Sequence, residues 1–328
     1  MSDPLATSGK PSGPQLTRRR LLLESAAALG AAPWLLLAGP ARAATAASAE
    51  TATGPLRLPL QLRQLVNHIG ISVPDVAKSA TFYSHLFDPG MLLGQRQPAL
   101  RYLIDFRPGS LSIGPLKAAA QGAQTKAFID HFAVMARSFE LAAWRARLTQ
   151  QGLHYFAAGT FVDIDSIPVQ LLGGLRPLSA HPQGIRHAAP AAEHHGVAPG
   201  GFAPMPALYS GQPLVTAHGF RQVTLRVSHL DAASATFQQL FGLTPHRSAS
   251  KRLYFALNGT RLGLEQAASG ESPAIAAFAI KVLKFDFGRV RAGLEARGAR
   301  VEPVAAREKE RRLRFVDPDG IRCELWEI

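Results

Sequence analysis

One segment of eleven residues occurs twice in this chain, and this repeat constrains the fold more than any other feature. Residues 161–171 align without gaps on residues 315–325, and the two copies share Phe, Val, two Asp, Ile and Leu. The second copy contains Asp317-Pro318-Asp319-Gly320, a turn sequence in which Pro fixes φ, Asp caps and Gly tolerates positive φ. Each copy is therefore predicted to be a strand, a tight turn and a second strand.

Hydrophobic periodicity extends the repeat over most of the chain. Strand-like alternation and helix-like spacing follow one another in four rounds, each of the form β-α-β-β-β. The first strands of these rounds are predicted at residues 68–73, 129–135, 222–227 and 276–282. The periodicity therefore predicts a fold that mixes short helices with many strands, in the α+β class.

The opening of the first round carries a family resemblance. Asn67-His68-Ile69-Gly70-Ile71-Ser72-Val73-Pro74-Asp75, followed by Ser79, Phe82 and Tyr83, and the repeated hairpin resemble the vicinal-oxygen-chelate (VOC) superfamily. That superfamily includes glyoxalase I, extradiol dioxygenases, methylmalonyl-CoA epimerase and the fosfomycin and bleomycin resistance proteins. The resemblance implies four βαβββ modules paired into two tandem glyoxalase-like domains, each a cupped, incomplete barrel. It does not name the reaction, because one fold hosts many chemistries.

The resemblance also sets the expected domain boundaries. The first VOC domain is expected at residues 63–175 and the second at 219–328. Residues 176–218, rich in Pro, Gly and Ala and containing several histidines, separate them. Two interpretations of this segment stay open: a linker draped over a domain, and a lid over the binding cleft.

The first residues of the chain resemble an export signal. Thr17-Arg18-Arg19-Arg20-Leu21-Leu22 has the twin-arginine (Tat) form and precedes a short apolar stretch at 25–39 that Pro33 interrupts. Ala41-Arg42-Ala43 predicts cleavage after Ala43, so that residues 1–43 are the signal peptide and 44–62 a tether. The expected location is periplasmic or otherwise exported, with the Tat translocase as a partner during export; an uncleaved membrane anchor is the alternative.

The resemblance implies a metal site in the first domain. In the resembling families, the first strand of each module and the last strand of one or both hold a divalent metal, here Fe, Mn or Zn. The corresponding positions are His68, Ser112 or a neighbour, His131 and Gln170, and the predicted ligands are His68, His131 and Gln170. The set is similar to the two-histidine, one-carboxylate site of extradiol dioxygenases. Gln170 departs from it, because a neutral amide weakens metal affinity and leaves the site more positive.

The same positions in the second domain are Gln222, Gly263 or Glu265, Ala277 and Glu324. Ala277 cannot bind a metal, so a degenerate second domain is expected. A three-ligand site of Gln222, Glu265 and Glu324 is the open alternative. No catalytic acid or base is assigned and no residue is assigned to an organic cofactor, although Tyr102, His154 and Tyr155 could face a ligand.

The net charge and the cysteine content limit which kinds of binding partner and which covalent cross-links are expected. The net charge of +13 favours an anionic small molecule. Nucleic acid is not expected, because the basic run at 307–314 is interrupted by Glu308 and Glu310 and no nucleic-acid motif accompanies it. Cys323 is the single cysteine, so no intramolecular disulfide can form, and it is expected to be a buried structural thiol.

Two functions follow from these expectations, and an inert two-domain adaptor is a third interpretation that stays open. The first is an exported metal-dependent VOC enzyme, dioxygenase-like or lyase-like (glyoxalase-like), that acts on a small molecule with vicinal oxygens. The second is a non-catalytic protein of the bleomycin-resistance type that binds and sequesters a small molecule.

Overall fold

A computed structural model describes residue 58 and the ranges 66–87, 91–95, 101–106, 108–116, 126–136, 141–156, 161–173, 212–248, 252–303 and 311–328. The predicted signal peptide, nearly all of the tether and the linker up to residue 211 lie outside the described residues. Among the described helices, none has the length and apolar character needed to cross a membrane.

The first half of the chain contains eight strands and two helices. In chain order these are β1 (Val66–Val73), α1 (Val76–Leu86), β2 (Met91–Gln95), β3 (Arg101–Asp105), β4 (Ser110–Pro115), β5 (Phe128–Ala136), α2 (Leu141–Gln150), β6 (His154–Phe156), β7 (Phe161–Ile164) and β8 (Ile167–Gly173).

The second half repeats this order. Its elements are β9 (Ala217–Val227), α3 (Leu230–Phe241), β10 (His246–Arg247), β11 (Leu253–Leu257), β12 (Thr260–Gln266), β13 (Ala274–Val282), α4 (Phe287–Glu295), β14 (Arg300–Glu302), β15 (Arg312–Val316) and β16 (Arg322–Glu327). The order β-α-β-β-β therefore occurs four times, as the periodicity predicts. β9 begins at Ala217, two residues before the expected domain boundary.

Helix boundaries follow from local chemistry. Asp75, just before α1, accepts a hydrogen bond from the backbone N–H of Lys78, which is a standard N-cap. Asp286 caps α4 in the same way through Arg289. α3 ends at Gly242, whose φ of 66° lies in the left-handed region that glycine adopts without strain.

Strand pairing is the same in both halves. The first half runs β2-β3-β4-β1-β5-β8-β7-β6, and the second runs β10-β11-β12-β9-β13-β16-β15-β14. The pairing of β5 with β13, at Ile129 and Ile275, joins the two series in one hydrogen-bonded network. The strands that begin successive rounds, β1 with β5 and β9 with β13, are antiparallel neighbours.

Two β-bulges recur at equivalent places in the halves. Asn67 is an extra residue on β1 opposite β5, and Arg221 is the extra residue on β9 opposite β13. Asp130 on β5 and Ala276 on β13 are the second pair. A bulge interrupts the alternation of side chains, so that two successive residues can point to one face of the sheet.

The two copies of the sequence repeat form hairpins with different turns. β7 and β8 are joined by Asp165 and Ser166 alone, at φ values of 53° and 61°, in the conformation of a tight hairpin turn. β15 and β16 are joined by five residues, 317–321, between paired Val316 and Arg322. The pairing register consequently differs by one residue between the copies, although their sequences align without a gap.

Helix α1 packs against strands of both halves. The Tyr83 hydroxyl donates to a carboxylate oxygen of Asp317 at 2.8 Å and lies 3.3 Å from the sulfur of Cys323. Phe82 contacts Phe315, with ring centroids 6.2 Å apart. Buried side chains from the two halves therefore form one continuous hydrophobic core. Cys323 is buried there, as expected for a structural thiol.

Candidate metal centre

Two histidines from neighbouring strands meet on one face of the first half. On β1, Ile69, Ile71 and Val73 are buried in the core with α1. Successive side chains of a strand point to opposite faces, so His68 points away from that core. The Nε2 atoms of His68 and His131 lie 3.1 Å apart, with the two rings nearly perpendicular at 87°. The structure thus brings these two predicted ligands together.

Each histidine ring is hydrogen-bonded through Nδ1 to the side chain of the residue that precedes it. The Nδ1 atom of His68 lies 3.0 Å from Asn67 Oδ1, and His131 Nδ1 contacts Asp130 Oδ1. Asn67 and Asp130 are the two bulge residues, which is why each side chain can reach the ring of its neighbour. An oxygen acceptor at Nδ1 keeps the proton there and leaves the Nε2 lone pair for a ligand.

Asp130 is itself fixed in place. The hydroxyl of Ser72 donates to Asp130 Oδ2 at 2.9 Å. Burial alone would raise the pKa of this carboxyl, but its electrostatic interaction and hydrogen bond with His131, together with the charge of Arg101, hold it well below its usual range. Asp130 is therefore an ionised acceptor for His131 at neutral pH.

Gly70 makes room for the second imidazole. A Cβ at this position would lie 2.2 Å from both His131 Cε1 and Asp130 Oδ1. Any residue larger than glycine would displace the His131 ring and the Asp130 carboxylate. Gly70, the last residue of Asn67-His68-Ile69-Gly70, is therefore required at this site for steric reasons.

Burial keeps the His68 ring neutral. Loss of solvent and the proximity of His131 lower the pKa of His68 to about 3. A neutral imidazole is the form that binds a metal ion.

The amide of Gln170 completes the group. Ala133 on β5 pairs with both His68 and Gln170, so the three residues form one row across β1, β5 and β8. The Oε1 atom of Gln170 is buried and makes no hydrogen bond of normal geometry, and it is the single such side-chain atom in the described part of the chain. The amide nevertheless interacts with the His68 ring and acts on its pKa in the direction opposite to burial. A buried amide oxygen without a partner is costly, and a cation at this position would remove that cost.

The three groups fit a divalent cation. Two imidazole nitrogens that each bind one ion at about 2.1 Å would be about 3 Å apart if they occupied adjacent coordination positions. The observed Nε2 separation is 3.1 Å. Among the described residues, no group of three or more His, Cys, Asp or Glu side chains could hold a metal. The further oxygen donor in the same row as His68 is the amide of Gln170.

A guanidinium group that sequence reasoning missed lies beside the histidines. Arg101 on β3 donates to the hydroxyl of Ser112 at 2.9 Å and extends over Gly114, whose absent Cβ would come within 2.6 Å of it. Ser112, the fourth predicted position, is therefore a partner of Arg101. The positive charge of Arg101 acts on both His68 and Asp130. The available signal was the position of Arg101 in a predicted strand next to the strand of Ser112.

The other candidates lie elsewhere. Tyr102 is buried in the hydrophobic core and His154 is exposed. The side chain of Tyr155 lies outside the part of the chain that the structure describes.

The alternative metal ligands of the second half have other partners. The amide nitrogen of Gln222 donates to Thr224 at 2.8 Å. Glu265 pairs with Arg252 at 3.0 Å. Glu324 accepts from Arg314 at 2.8 Å and from the indole of Trp326 at 2.6 Å. These three side chains are therefore engaged in ion pairs or hydrogen bonds with other residues.

Comparison with known proteins places the fold. Residues 219–325 match the model of the Glyoxalase/Bleomycin resistance protein/Dioxygenase superfamily. No curated protein sequence matches the chain. Several solved structures do match it over most of its length.

Three of these structures show which kinds of protein share the fold. The 2,3-dioxygenase LapB of Pseudomonas sp. KL28 has a TM-score of 0.56 at 12% identity, over 82% of this chain and 94% of that one. The Mn(II)-bound glyoxalase of Novosphingobium aromaticivorans has a TM-score of 0.53 at 12% identity, over 83% and 82%. Homoprotocatechuate 2,3-dioxygenase of Brevibacterium fuscum, in complex with 3,4-dihydroxyphenylacetate, has a TM-score of 0.55 at 16% identity, over 84% and 83%. The chain thus shares the fold of glyoxalases and extradiol dioxygenases.

Proposed function

We propose that this protein is a metal-dependent VOC-type enzyme, dioxygenase-like or glyoxalase-like, that acts on a small molecule with vicinal oxygens. One observation carries the proposal: the Nε2 atoms of His68 and His131 face each other at 3.1 Å, and His68 lies in the same row of the sheet as Gln170, whose buried Oε1 atom makes no hydrogen bond of normal geometry. His68, His131 and Gln170 would hold a divalent ion, Fe, Mn or Zn.

When bound, the ion supplies Lewis-acid and template chemistry for two adjacent oxygens of a substrate. Asn67 and Asp130 orient the two imidazoles and keep their Nδ1 protons in place. Arg101 provides a positive charge beside the site, which attracts an anionic substrate such as a catecholate or an enediolate. With three neutral ligands the site keeps the full charge of the ion, which favours an anionic, bidentate partner.

The proposal extends to the domain organisation. Residues 63–175 and 219–328 form two tandem VOC domains, of which the second has lost metal ligation. Support comes from the equivalent bulges, where Ala276 stands in place of Asp130, and from Ala277 in place of His131. Glyoxalase-fold matches that extend over 82% of the chain include residues of both halves.

The metal content of the purified full chain tests the site. We expect near-stoichiometric Fe, Mn or Zn in the wild type and its loss in the His68→Ala/His131→Ala double variant. His154→Ala removes an exposed histidine and is the matched control that keeps the metal. Metal retained in the double variant would refute the site assignment.

A binding protein without catalysis is the second candidate, and the neutral Gln170 favours it. An amide ligand holds a metal less tightly than a carboxylate, and a weakly loaded site could serve ligand capture alone. Adding catechols and α-keto acids to the metal-loaded protein distinguishes the enzyme from the binding protein. Turnover supports the enzyme, whereas stoichiometric binding without product supports the binding protein.

We also propose export by the Tat route, with cleavage after Ala43. The support is the sequence Thr17-Arg18-Arg19-Arg20-Leu21-Leu22 and the small residues before position 44. Replacing Arg18, Arg19 and Arg20 together by lysine should retain an uncleaved chain in the cytoplasm. Unchanged export and processing of that variant would contradict the proposal.

A further inference from the structure

Cationic side chains gather on the face of the second half that corresponds to the histidine-bearing face of the first. Arg261, Gln222, Ala279, Glu324 and Arg314 lie in one row across β12, β9, β13, β16 and β15. Side chains two residues apart on a strand share a face. The same face therefore also carries a further set of side chains, namely Arg252, Tyr254, Lys281, Arg312 and Trp326.

The different hairpin turn and a bulge contribute to this arrangement. The five-residue turn between β15 and β16 places Arg314 opposite Glu324, whereas Phe161 lies opposite Gln170 in the first half. The bulge at Arg221 turns this side chain towards the same face, as the bulge at Asn67 does in the first half.

Trp326 is the centre of the group. Guanidinium carbons of Arg312, Arg221 and Arg261 lie 5.1, 5.2 and 5.7 Å from its ring centroid. Arg261 also lies 5.3 Å from the ring of Tyr254. Trp326 is only 5% exposed. Cation–π contacts hold guanidinium groups at defined positions, so these positive charges are fixed close together.

The fixed charges repel one another. Burial lowers the pKa of Arg312, and the charges of Arg314, Arg252 and Arg261 lower it further, against the opposing effect of Glu324. Burial and the charge of Arg221 lower the pKa of Lys281. Glu324 lies 2.8 Å from Arg314 and 3.7 Å from Arg312, and Glu265 lies 3.0 Å from Arg252, so carboxylates offset part of this positive charge.

We propose that this group is a second ligand site, which binds a small polyanion with two or more carboxylate or phosphate groups. The group, called here the Trp326 cluster, comprises Arg221, Arg261 and Arg312 around Trp326, with Arg252, Lys281 and Arg314 beside them. Guanidinium forks bind carboxylate and phosphate oxygens through the same planar pair of hydrogen bonds. A polyanion relieves several repulsions at once, whereas a monovalent anion relieves one.

This inference does not rest on the proposed metal site. The strands β9, β11, β12, β13, β15 and β16 carry the Trp326 cluster, whereas β1, β5 and β8 carry His68, His131 and Gln170. Failure of one site leaves the other unaffected.

Calorimetric titration of the full chain with pyrophosphate and with citrate tests the proposal, at an ionic strength held constant with sodium chloride. The His68→Ala/His131→Ala background is used throughout, because both anions also bind metal ions. Arg261→Gln and Arg312→Gln are the test variants. Arg291→Gln is the matched control, because Arg291 pairs with Glu295 on α4 and its side chain is 59% exposed.

We expect saturable binding that weakens by about tenfold or more in each test variant, the loss typical of one charge-assisted hydrogen bond. Arg291→Gln should change the dissociation constant by less than about twofold, since its charge lies outside the cluster. Tighter binding of pyrophosphate indicates a phosphate ligand, and tighter binding of citrate indicates a polycarboxylate.

Two results would overturn the proposal. One is binding of neither anion above the chloride background. The other is an equal loss in Arg291→Gln, which would show that only the net charge of the chain matters. Circular dichroism checks the folding of each variant, and Arg261→Gln decides the outcome if Arg312→Gln does not fold.

Discussion

Gln170 and Glu324 occupy the same position in the two halves of the sheet. Gln170 pairs with Ala133 and Glu324 with Ala279, in the same parallel relation between strands. Glu324 pairs with arginine, whereas the Oε1 atom of Gln170 makes no hydrogen bond of normal geometry. A carboxylate is thus compatible with this strand position, and the first half has an amide instead.

A carboxylate at position 170 should strengthen the metal site. We expect Gln170→Glu to tighten divalent metal binding by about tenfold or more, because a charged oxygen replaces a neutral one beside the cation. Competition titrations with Mn²⁺ and Zn²⁺ measure the change. Gln222→Glu, at the position equivalent to His68, is the control and should leave the affinity unaltered. An unaltered affinity in Gln170→Glu would remove Gln170 from the ligand set.

Removing the carboxylate behind His131 should weaken metal binding without removing a ligand. Asp130→Asn is expected to lower metal affinity about 10–100-fold, as changes to groups that orient metal ligands do. The exposed Asp231→Asn, whose side chain is 91% accessible, is the charge-matched control. Equal affinities for the two variants would show that Asp130 does not orient His131.

A methyl group at Gly70 should displace the His131 ring. We expect Gly70→Ala to abolish metal binding and to lower the free energy of unfolding by about 1–3 kcal/mol, the usual cost of overpacking. Metal analysis and urea denaturation measure the two effects. Gly288→Ala, where the new Cβ would lie at an ordinary 3.4 Å from Asp286, should have neither. Full metal content in Gly70→Ala would contradict the steric role of this glycine.

The contact between α1 and the last hairpin should make stability depend on pH. Burial raises the pKa of Asp317 to about 6, against the opposing hydrogen bonds from Ile321 and Tyr83. The folded state therefore holds this proton more tightly than the unfolded state. The resulting stabilisation is complete below about pH 4 and is lost as the pH rises through about 6.

Asp317→Asn isolates this effect, because an amide does not titrate. The free energy of unfolding of Asp317→Asn relative to wild type should rise between about pH 4 and pH 7, by an amount on the order of 2 kcal/mol. Urea denaturation at several pH values measures the difference, with Asp231→Asn as the control. A difference that stays constant with pH would show that Asp317 does not titrate in this range.

The sequence alone predicted much of this arrangement. The repeat and its periodicity indicated the four β-α-β-β-β rounds. The resemblance to the VOC superfamily selected His68, His131 and Gln170, which lie on the neighbouring strands β1, β5 and β8; metal binding by them stays a prediction. The rounds could be predicted because regular alternation decides which residues share a face.

The features that sequence reasoning missed depend on departures from that alternation. Asn67 and Asp130 reach their histidines only because each is an extra residue in a bulge, and strict alternation would place both on the opposite face. Turn length is a similar case: the two copies of the repeat align without gaps, yet one turn has two residues and the other has five. The difference moves Arg314, and not Phe315, opposite Glu324.

The hydrogen bond from Tyr83 to Asp317 also bears on the order in which the protein can be completed during synthesis. A ribosome releases α1 long before it reaches residues 317 and 323, which supply the partners of the Tyr83 hydroxyl. The first half therefore emerges with one flank of its core uncovered. Residues 317–323 must be synthesised before this flank is covered, so a chain truncated before residue 317 leaves the Tyr83 hydroxyl without either of these two partners.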